Sequence, residues 1–117
     1  MDINNDSWSP PYTLEERLKY ALIPAGLYIR HRVRKELRHG EPELGLLSFL
    51  ADRRRVSIDV GANKGVYSWM LARCSREVHA FEPNPKLFRI LKRIASDKLH
   101  VSPVALSNCS GHAMLRV

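Results

Sequence analysis

The chain has 117 residues, 44% of them apolar and 26% charged, with a formal net charge of +7. That length bounds it at one domain, and the balance is that of a globular chain rather than a disordered or fibrous one. No stretch approaches the roughly 18 apolar residues that a membrane helix needs, and Cys74 and Cys109 form neither a disulfide framework nor a metal pattern.

The charge is spread along the chain. Residues 1–55 carry ten basic and eight acidic side chains, and residues 56–117 carry nine and four. A basic surface raises non-specific affinity for nucleic acid and anionic membranes but says little about fold. The amino terminus is polar and acidic, so no signal peptide is expected. Two unpatterned cysteines read as reduced thiols, which points to a cytoplasmic protein.

Residues 1–12 are polar, include Ser9-Pro10-Pro11, and read as a disordered tail. Residues 13–40 read as a helical extension. Thr13-Leu14-Glu15-Glu16 is a capping box, which starts a helix over 14–23 that Pro24 should end. A second helix is expected over 26–38. Leu27, Ile29, Val33 and Leu37 make its apolar stripe, and Arg30, Arg32, Arg34, Lys35 and Arg38 surround it. That basic face reads as a solvated helix face, with a phosphate- or membrane-facing helix as the alternative.

Gly40 is a helix stop. Glu41-Pro42-Glu43 opens a third helix, with proline in its first turn and Leu44, Leu47 and Leu50 as its buried face. Arg53-Arg54-Arg55 read as a solvated loop. Val56 to Val60 is then a nearly continuous apolar run, the signature of a strand covered on both faces. Gly61-Ala62-Asn63-Lys64-Gly65 is a tight turn. The next helix runs over 65–73, with Val66, Trp69 and Met70 expected under the sheet. Tyr67 and Ser68 are candidates to face a ligand, with a surface or packing residue as the equal alternative for Tyr67.

Val78 to Glu82 is a second strand, in which His79 reads as structural. The sequence strand, turn, helix, strand is a βαβ unit. Asn84-Pro85 caps a helix to about Ser96, buried through Leu87, Ile90, Leu91 and Ile94. Leu99 to Val104 is a third strand, ended or disturbed by Pro103. Asn108 to Gly111 is a turn, and Ala113 to Val117 a last short strand. The fold class is therefore α/β: a partial Rossmann-like sheet of three to four strands behind an α-helical amino-terminal segment.

The acid closing the second strand narrows the ligand. Glu82 lies 21 positions after Gly61, and about 20 is the spacing at which an acid reaches a ribose hydroxyl in nucleoside-binding sheets. A dinucleotide fingerprint would need a third glycine where Asn63 stands, and Asp59 just before the turn would repel a pyrophosphate. An acid there suits a ligand with an amine. S-adenosylmethionine (SAM) carries a ribose, an ammonium, a carboxylate and a sulfonium, and no phosphate. Alternative readings stand beside each role: Asp59 as a cap for the turn amides, Gly61 and Gly65 as an ordinary βα turn, and Glu82 as a helix-capping acid.

Asp59-Val60-Gly61-Ala62-Asn63-Lys64-Gly65, Ala80-Phe81-Glu82-Pro83-Asn84-Pro85 and Val104-Ala105-Leu106-Ser107 with Gly111 resemble the FkbM-type SAM-dependent methyltransferases. Glu41-Pro42-Glu43-Leu44 is similar to the segment that precedes that domain. The resemblance covers residues 41–117, the amino-terminal part of such a domain. It implies a class I methyltransferase fold that methylates a hydroxyl of a sugar or other small molecule, with SAM as cofactor. It implies cofactor contacts from Asp59, Gly61, Ala62, Asn63, Gly65, Glu82 and Pro83, with Ala105 and Leu106 at the adenine edge.

A complete class I sheet has about seven strands, so a truncated product with an open, self-associating sheet edge is expected. No metal ligand and no catalytic base is assigned. His31, His39, His100 and His112 have no place in the pattern. Competing readings are a non-catalytic SAM-binding remnant, a nucleic-acid module, against which the lack of a recognition-helix or RNA-binding motif argues, and a dinucleotide oxidoreductase, which Asn63 and Asp59 disfavour.

Overall fold

The computed structural model describes residues 12–114. Helices α1 (Leu14–Leu22) and α2 (Ala25–His39) come first. A 3₁₀ turn at Pro42–Leu46 and one α-turn, α3 (Leu47–Leu50), follow. The βα units come next: β1 (Val56–Val60), α4 (Val66–Cys74), β2 (Glu77–Phe81), α5 (Pro85–Lys92) and β3 (Leu99–Ser102). The strands form one parallel sheet in the order β1-β2-β3. The predicted tail at residues 1–11 and the end of the predicted last strand, 115–117, lie outside the described residues. Ala113 and Met114 have no regular structure.

The local signals acted as their chemistry dictates. The Thr13 hydroxyl accepts from the Glu16 amide, and the Glu16 carboxylate accepts from the Thr13 amide at 3.0 Å, closing the capping box. Asn84 Oδ1 accepts from the amides of Lys86 and Leu87 above Pro85, so α5 starts where its sequence says. It ends sooner than expected. From Arg93 to Ala95 the amides bond three residues back, so the last turn tightens instead of continuing to Ser96.

Register explains which side of the sheet is covered. Ser57 and Asp59 of β1 stand opposite Val78 and Ala80 of β2, which stand opposite Leu99 and Val101 of β3. Partners in register point to the same face. On that face α4 and α5 bury one apolar cluster: Ala62, Val78, Ala80, Leu91 and Leu99, flanked by Leu71, Ala72, Ile94 and Val101. β1→β2→β3 advances in a single direction, and right-handed crossovers then place both helices on one side.

The other face corrects an expectation. β1 is not covered twice: Val56, Ile58 and Val60 are 41%, 64% and 61% exposed. The same face carries the imidazoles of His79 and His100, stacked with centroids 5.1 Å apart. Both Nε2 atoms approach Glu77 Oε1, at 2.8 and 3.2 Å.

The amino-terminal helices form a further layer outside α4 and α5. α2 and α3 pack on α4. α1 is held to α5 by an ion pair of Glu16 with Lys86 at 3.1 Å and by Arg93 donating to the Ile23 carbonyl at 2.9 Å. Tyr12, at the edge of the predicted tail, donates to the Lys86 carbonyl at 3.0 Å. Tyr12, Tyr20 and Tyr28 meet edge to face across this layer.

Three expected faces change. In α2 the buried residues are Tyr28, Ile29 and Val33, while Leu27 and Leu37 are exposed: Tyr28 meets Tyr20 of α1, and Val33 lies on the side next to Trp69 and Met70 of α4. The third helix is broken into the 3₁₀ turn and α3, which leaves Leu44 buried and Leu50 exposed. In α4 the side packed on the sheet is Ser68, Leu71, Ala72 and Ser75, with Ser75 Oγ 2.7 Å from Ser57 Oγ. Trp69 and Met70 instead border a depression shared with Val33 and Arg34 of α2.

Candidate ligand site

The turn between β1 and α4 is built from backbone that L-residues rarely adopt. Gly61, Asn63 and Gly65 have φ of 75°, 55° and 88°. Asparagine is among the few side chains that tolerate this region, which is why it can stand where a third glycine was looked for. Gly65 has a second reason to be glycine. A Cβ there would meet Leu91 Cδ1 at 2.7 Å and Ile94 Cδ1 at 2.5 Å, so the absent side chain lets α4 start against α5.

The amides of this turn are consumed inside the chain. Those of Gly61 and Ala62 both donate to the Phe81 carbonyl, at 2.9 and 3.0 Å, and that of Gly65 donates to Ala62 at 2.9 Å. The Asn63 amide donates to Glu82 Oε2 at 2.7 Å. A phosphate cradle needs such amides free. This turn does not offer these four.

Glu82 follows the last residue of β2 and is only 5% exposed. Its two oxygens divide their work: Oε2 takes the Asn63 amide and Oε1 takes the Asn84 amide at 2.8 Å. The carboxylate thus ties the β1–α4 turn to the start of α5. Each oxygen keeps acceptor capacity, since an ionised carboxylate has about four lone-pair sites. The capping role weighed for this acid is present in the structure.

Asp59, in the penultimate position of β1, accepts from the Ser68 hydroxyl of α4 through Oδ2 at 2.5 Å. Burial holds its carboxyl above the usual range, the Ser68 hydroxyl and amide oppose that rise, and the negative charge of Glu82 adds to it. A cation placed at Asp59 would reverse the balance.

Asp59, Gly61, Ala62 and Asn63 line one side of a cleft of about 310 Å³. The opposite wall comes from the amino-terminal layer: Arg32 and Glu36 of α2, and Glu41 and Leu44 at the 3₁₀ turn. Tyr67 of α4 closes it, donating to Glu41 Oε2 at 2.6 Å. That hydrogen bond, with burial and the nearby charges of Glu41, Glu43 and Glu36, pushes the Tyr67 pKa up to about 12, so the phenol keeps its proton at ordinary pH and serves as a donor.

Of the residues assigned from the sequence, Asp59, Gly61, Ala62 and Asn63 share this cleft. Gly65 is buried one turn behind it, and Glu82 is buried beneath the turn. Pro83 is half-buried beside Glu82. Ala105 is half-buried and Leu106 is 51% exposed, and neither lines the cleft. Tyr67, one of the two α4 candidates, does line the cleft, whereas sequence reasoning missed Arg32, Glu36 and Glu41 as site residues. Arg32 and Glu36 show only the i, i+4 spacing of a helical ion pair, which carries no sign of a ligand.

No family model matches the chain, and no curated protein matches it. Solved structures do. The YcgJ protein from Bacillus subtilis superposes with a TM-score of 0.50 at 13% identity, over 55% of this chain and 30% of its own. An rRNA methylase from Streptococcus thermophilus gives 0.49 at 18%, over 55% and 41%. A putative type II methyltransferase from Anaeromyxobacter dehalogenans gives 0.45 at 22%, over 55% and 26%. The fold is a Rossmann-like α/β fold, a parallel three-stranded sheet with helices, of the kind seen in YcgJ. The chain spans well under half the length of each of these three structures. Among the described residues no helix is long and apolar enough to cross a membrane, and no group of three or more His, Cys, Asp or Glu is arranged to hold a metal ion.

Proposed function

We propose that the chain is the SAM-binding amino-terminal part of a methyltransferase of the FkbM type, acting in the cytoplasm on a hydroxyl of a sugar or other small molecule. The observation that carries the reading is the pairing of two acids at the carboxyl ends of adjacent parallel strands, Asp59 and Glu82, around a turn four of whose amides are already spent. Ligands of open α/β sheets sit at those strand ends. A spent turn disfavours a pyrophosphate and therefore a dinucleotide.

The residues fit the ligand's groups. Asp59 has Oδ1 outside its bond to Ser68 and meets an ammonium ion as its counter-charge. Glu82 retains lone pairs for a ribose diol beyond the two amides it accepts. Gly61 has nothing within 4 Å of where its Cβ would be, which leaves room for close approach over the turn. SAM supplies an electrophilic methyl group on a sulfonium, transferred by in-line displacement. The residues of this chain bind and orient; positioning alone contributes several kcal/mol in such reactions, about 7–11 when near-ideal.

Isothermal titration with SAM, S-adenosylhomocysteine and NAD tests the reading. SAM or its demethylated product should bind more tightly than NAD. The opposite order would overturn it. Methyl transfer from labelled SAM to a panel of saccharides and small alcohols then tests the acceptor class, and exclusive labelling of RNA would replace it.

A further inference from the structure

The helical extension forms a wall of the cleft, and Arg32 is the unusual residue on that wall. A guanidinium has five N–H donors. Its Nε is cut off from solvent without a hydrogen-bond acceptor among the described residues. Its one ion-pair contact there, to Glu36 Oε1, is 3.8 Å long, beyond hydrogen-bond range. The side chain is 29% exposed and lines the same cleft as Asp59. The part-exposed end of the guanidinium at the cleft keeps N–H donors that an anion entering the cleft can take up.

We propose that Arg32 binds the α-carboxylate of the cofactor's amino-acid moiety, while Asp59 faces its ammonium group. This rests on the SAM reading above. An α-amino acid zwitterion presents one cation and one anion two bonds apart, and it needs a fixed pair of opposite charges. The cleft has such a pair, one from β1 and one from α2. Lys64 also lines the cleft, but its ammonium is a point charge, whereas the planar fork of arginine matches a carboxylate with two parallel bonds. Glu41 on the same wall disfavours a carboxylate at its end of the cleft, and Glu36, 3.8 Å from Arg32 and short of a hydrogen bond, leaves the guanidinium donors to an incoming carboxylate. The extension is thereby part of the binding site.

The test compares SAM with decarboxylated SAM, which keeps the ammonium, sulfonium and adenosine. Titration calorimetry is run on the full chain and on Arg32→Gln and Arg32→Lys, with circular dichroism as the folding control. The unaltered chain should prefer SAM over decarboxylated SAM by about 10- to 100-fold, the range of a charge-assisted hydrogen bond. Arg32→Gln should lose that preference by weakening SAM alone, and Arg32→Lys should keep part of it. Equal affinity of the unaltered chain for the two ligands overturns the proposal without any variant having to fold. So does an equal loss for both ligands in Arg32→Gln, which would mean a purely structural role. If SAM binds and the Arg32→Gln affinity is unchanged, the inference fails and the SAM reading stands. If the unaltered chain binds neither ligand, both fail.

Discussion

Replacing Gly65 with alanine separates the two demands on that residue. Its φ of 88° lies in the left-handed region, where an L-residue costs about 1–2 kcal/mol. The added methyl would also sit 2.7 Å from Leu91 Cδ1 and 2.5 Å from Ile94 Cδ1. Ile94 is partly exposed and can move aside, whereas Leu91 is fully buried in the main apolar cluster. Overpacking of this kind costs about 1–3 kcal/mol. Reduced freedom of the unfolded chain returns about 0.4–1 kcal/mol. The net loss is therefore about 2–4 kcal/mol, a large part of the roughly 5–15 kcal/mol that holds a domain together. Gly61→Ala is the internal control: its φ is 75°, but nothing lies within 4 Å of the added atom, so about 1 kcal/mol is expected from backbone strain less the same entropic return. Urea denaturation followed by circular dichroism measures both variants with one baseline. If Gly65→Ala is no less stable than Gly61→Ala, the close approach of α4 to α5 does not constrain the turn, and the reasoning fails.

Three further outcomes follow from the site and the sheet. Asp59 has its folded carboxyl raised, so its charged form is penalised in the fold. Its contribution to stability is greatest below the ordinary aspartate range and is lost as pH rises through the raised value, so Asp59→Asn should flatten that part of a stability-versus-pH curve. SAM affinity should rise over the same interval and lose that dependence in Asp59→Asn; a pH-independent affinity in the unaltered chain would remove Asp59 from the ammonium site. Glu82→Ala should weaken cofactor binding by about 1.5–3 kcal/mol and also lower stability by about 1–3 kcal/mol in all, since the part-buried amides of Asn63 and Asn84 lose their acceptor; a variant with full stability would contradict the tie between the two turns. The uncovered face of β1 should drive self-association, so Ile58→Lys should shift size-exclusion profiles toward monomer without lowering the melting temperature; unchanged profiles would place any association elsewhere.

The legible parts of this chain were those fixed by local chemistry. Thr13 with Glu16, Asn84 with Pro85, and Gly61 with Gly65 each meet a need of their own backbone, so neighbours in sequence suffice to read them. The sheet-facing side of α4 was hidden because Ser68 and Ser75 carry it as much as Leu71 does. Their hydroxyls bond Asp59 and Ser57 across the interface, and periodicity of apolar residues cannot register such a contact. Trp69 and Met70 drew attention away to the side that meets α2. The covering of β1 was misread for a related reason: an apolar run records what a strand can bury, while the direction of the crossovers decides which face these helices reach. The wall of the cleft from the amino-terminal layer was also out of reach, since Arg32 and Glu36 come to the turn after β1 only through packing of α2 on α4.

The carboxylate of Glu82 joins amides from two turns that are far apart in sequence, and α5 begins at one of them. α5 in turn is gripped by α1 through Lys86 and Arg93. A continuous set of contacts therefore runs from α1 through α5 to a single side chain and on to the loop that lines the cleft. Hydrogen exchange reads the two contacts separately: opening of the β1–α4 loop alone should expose the Asn63 amide, while the Asn84 amide, two residues from Glu82, stays on the other oxygen, and Glu82→Ala should speed exchange at both. Glu82 is the joint at which the loop lining the cleft meets the start of the helix that α1 holds.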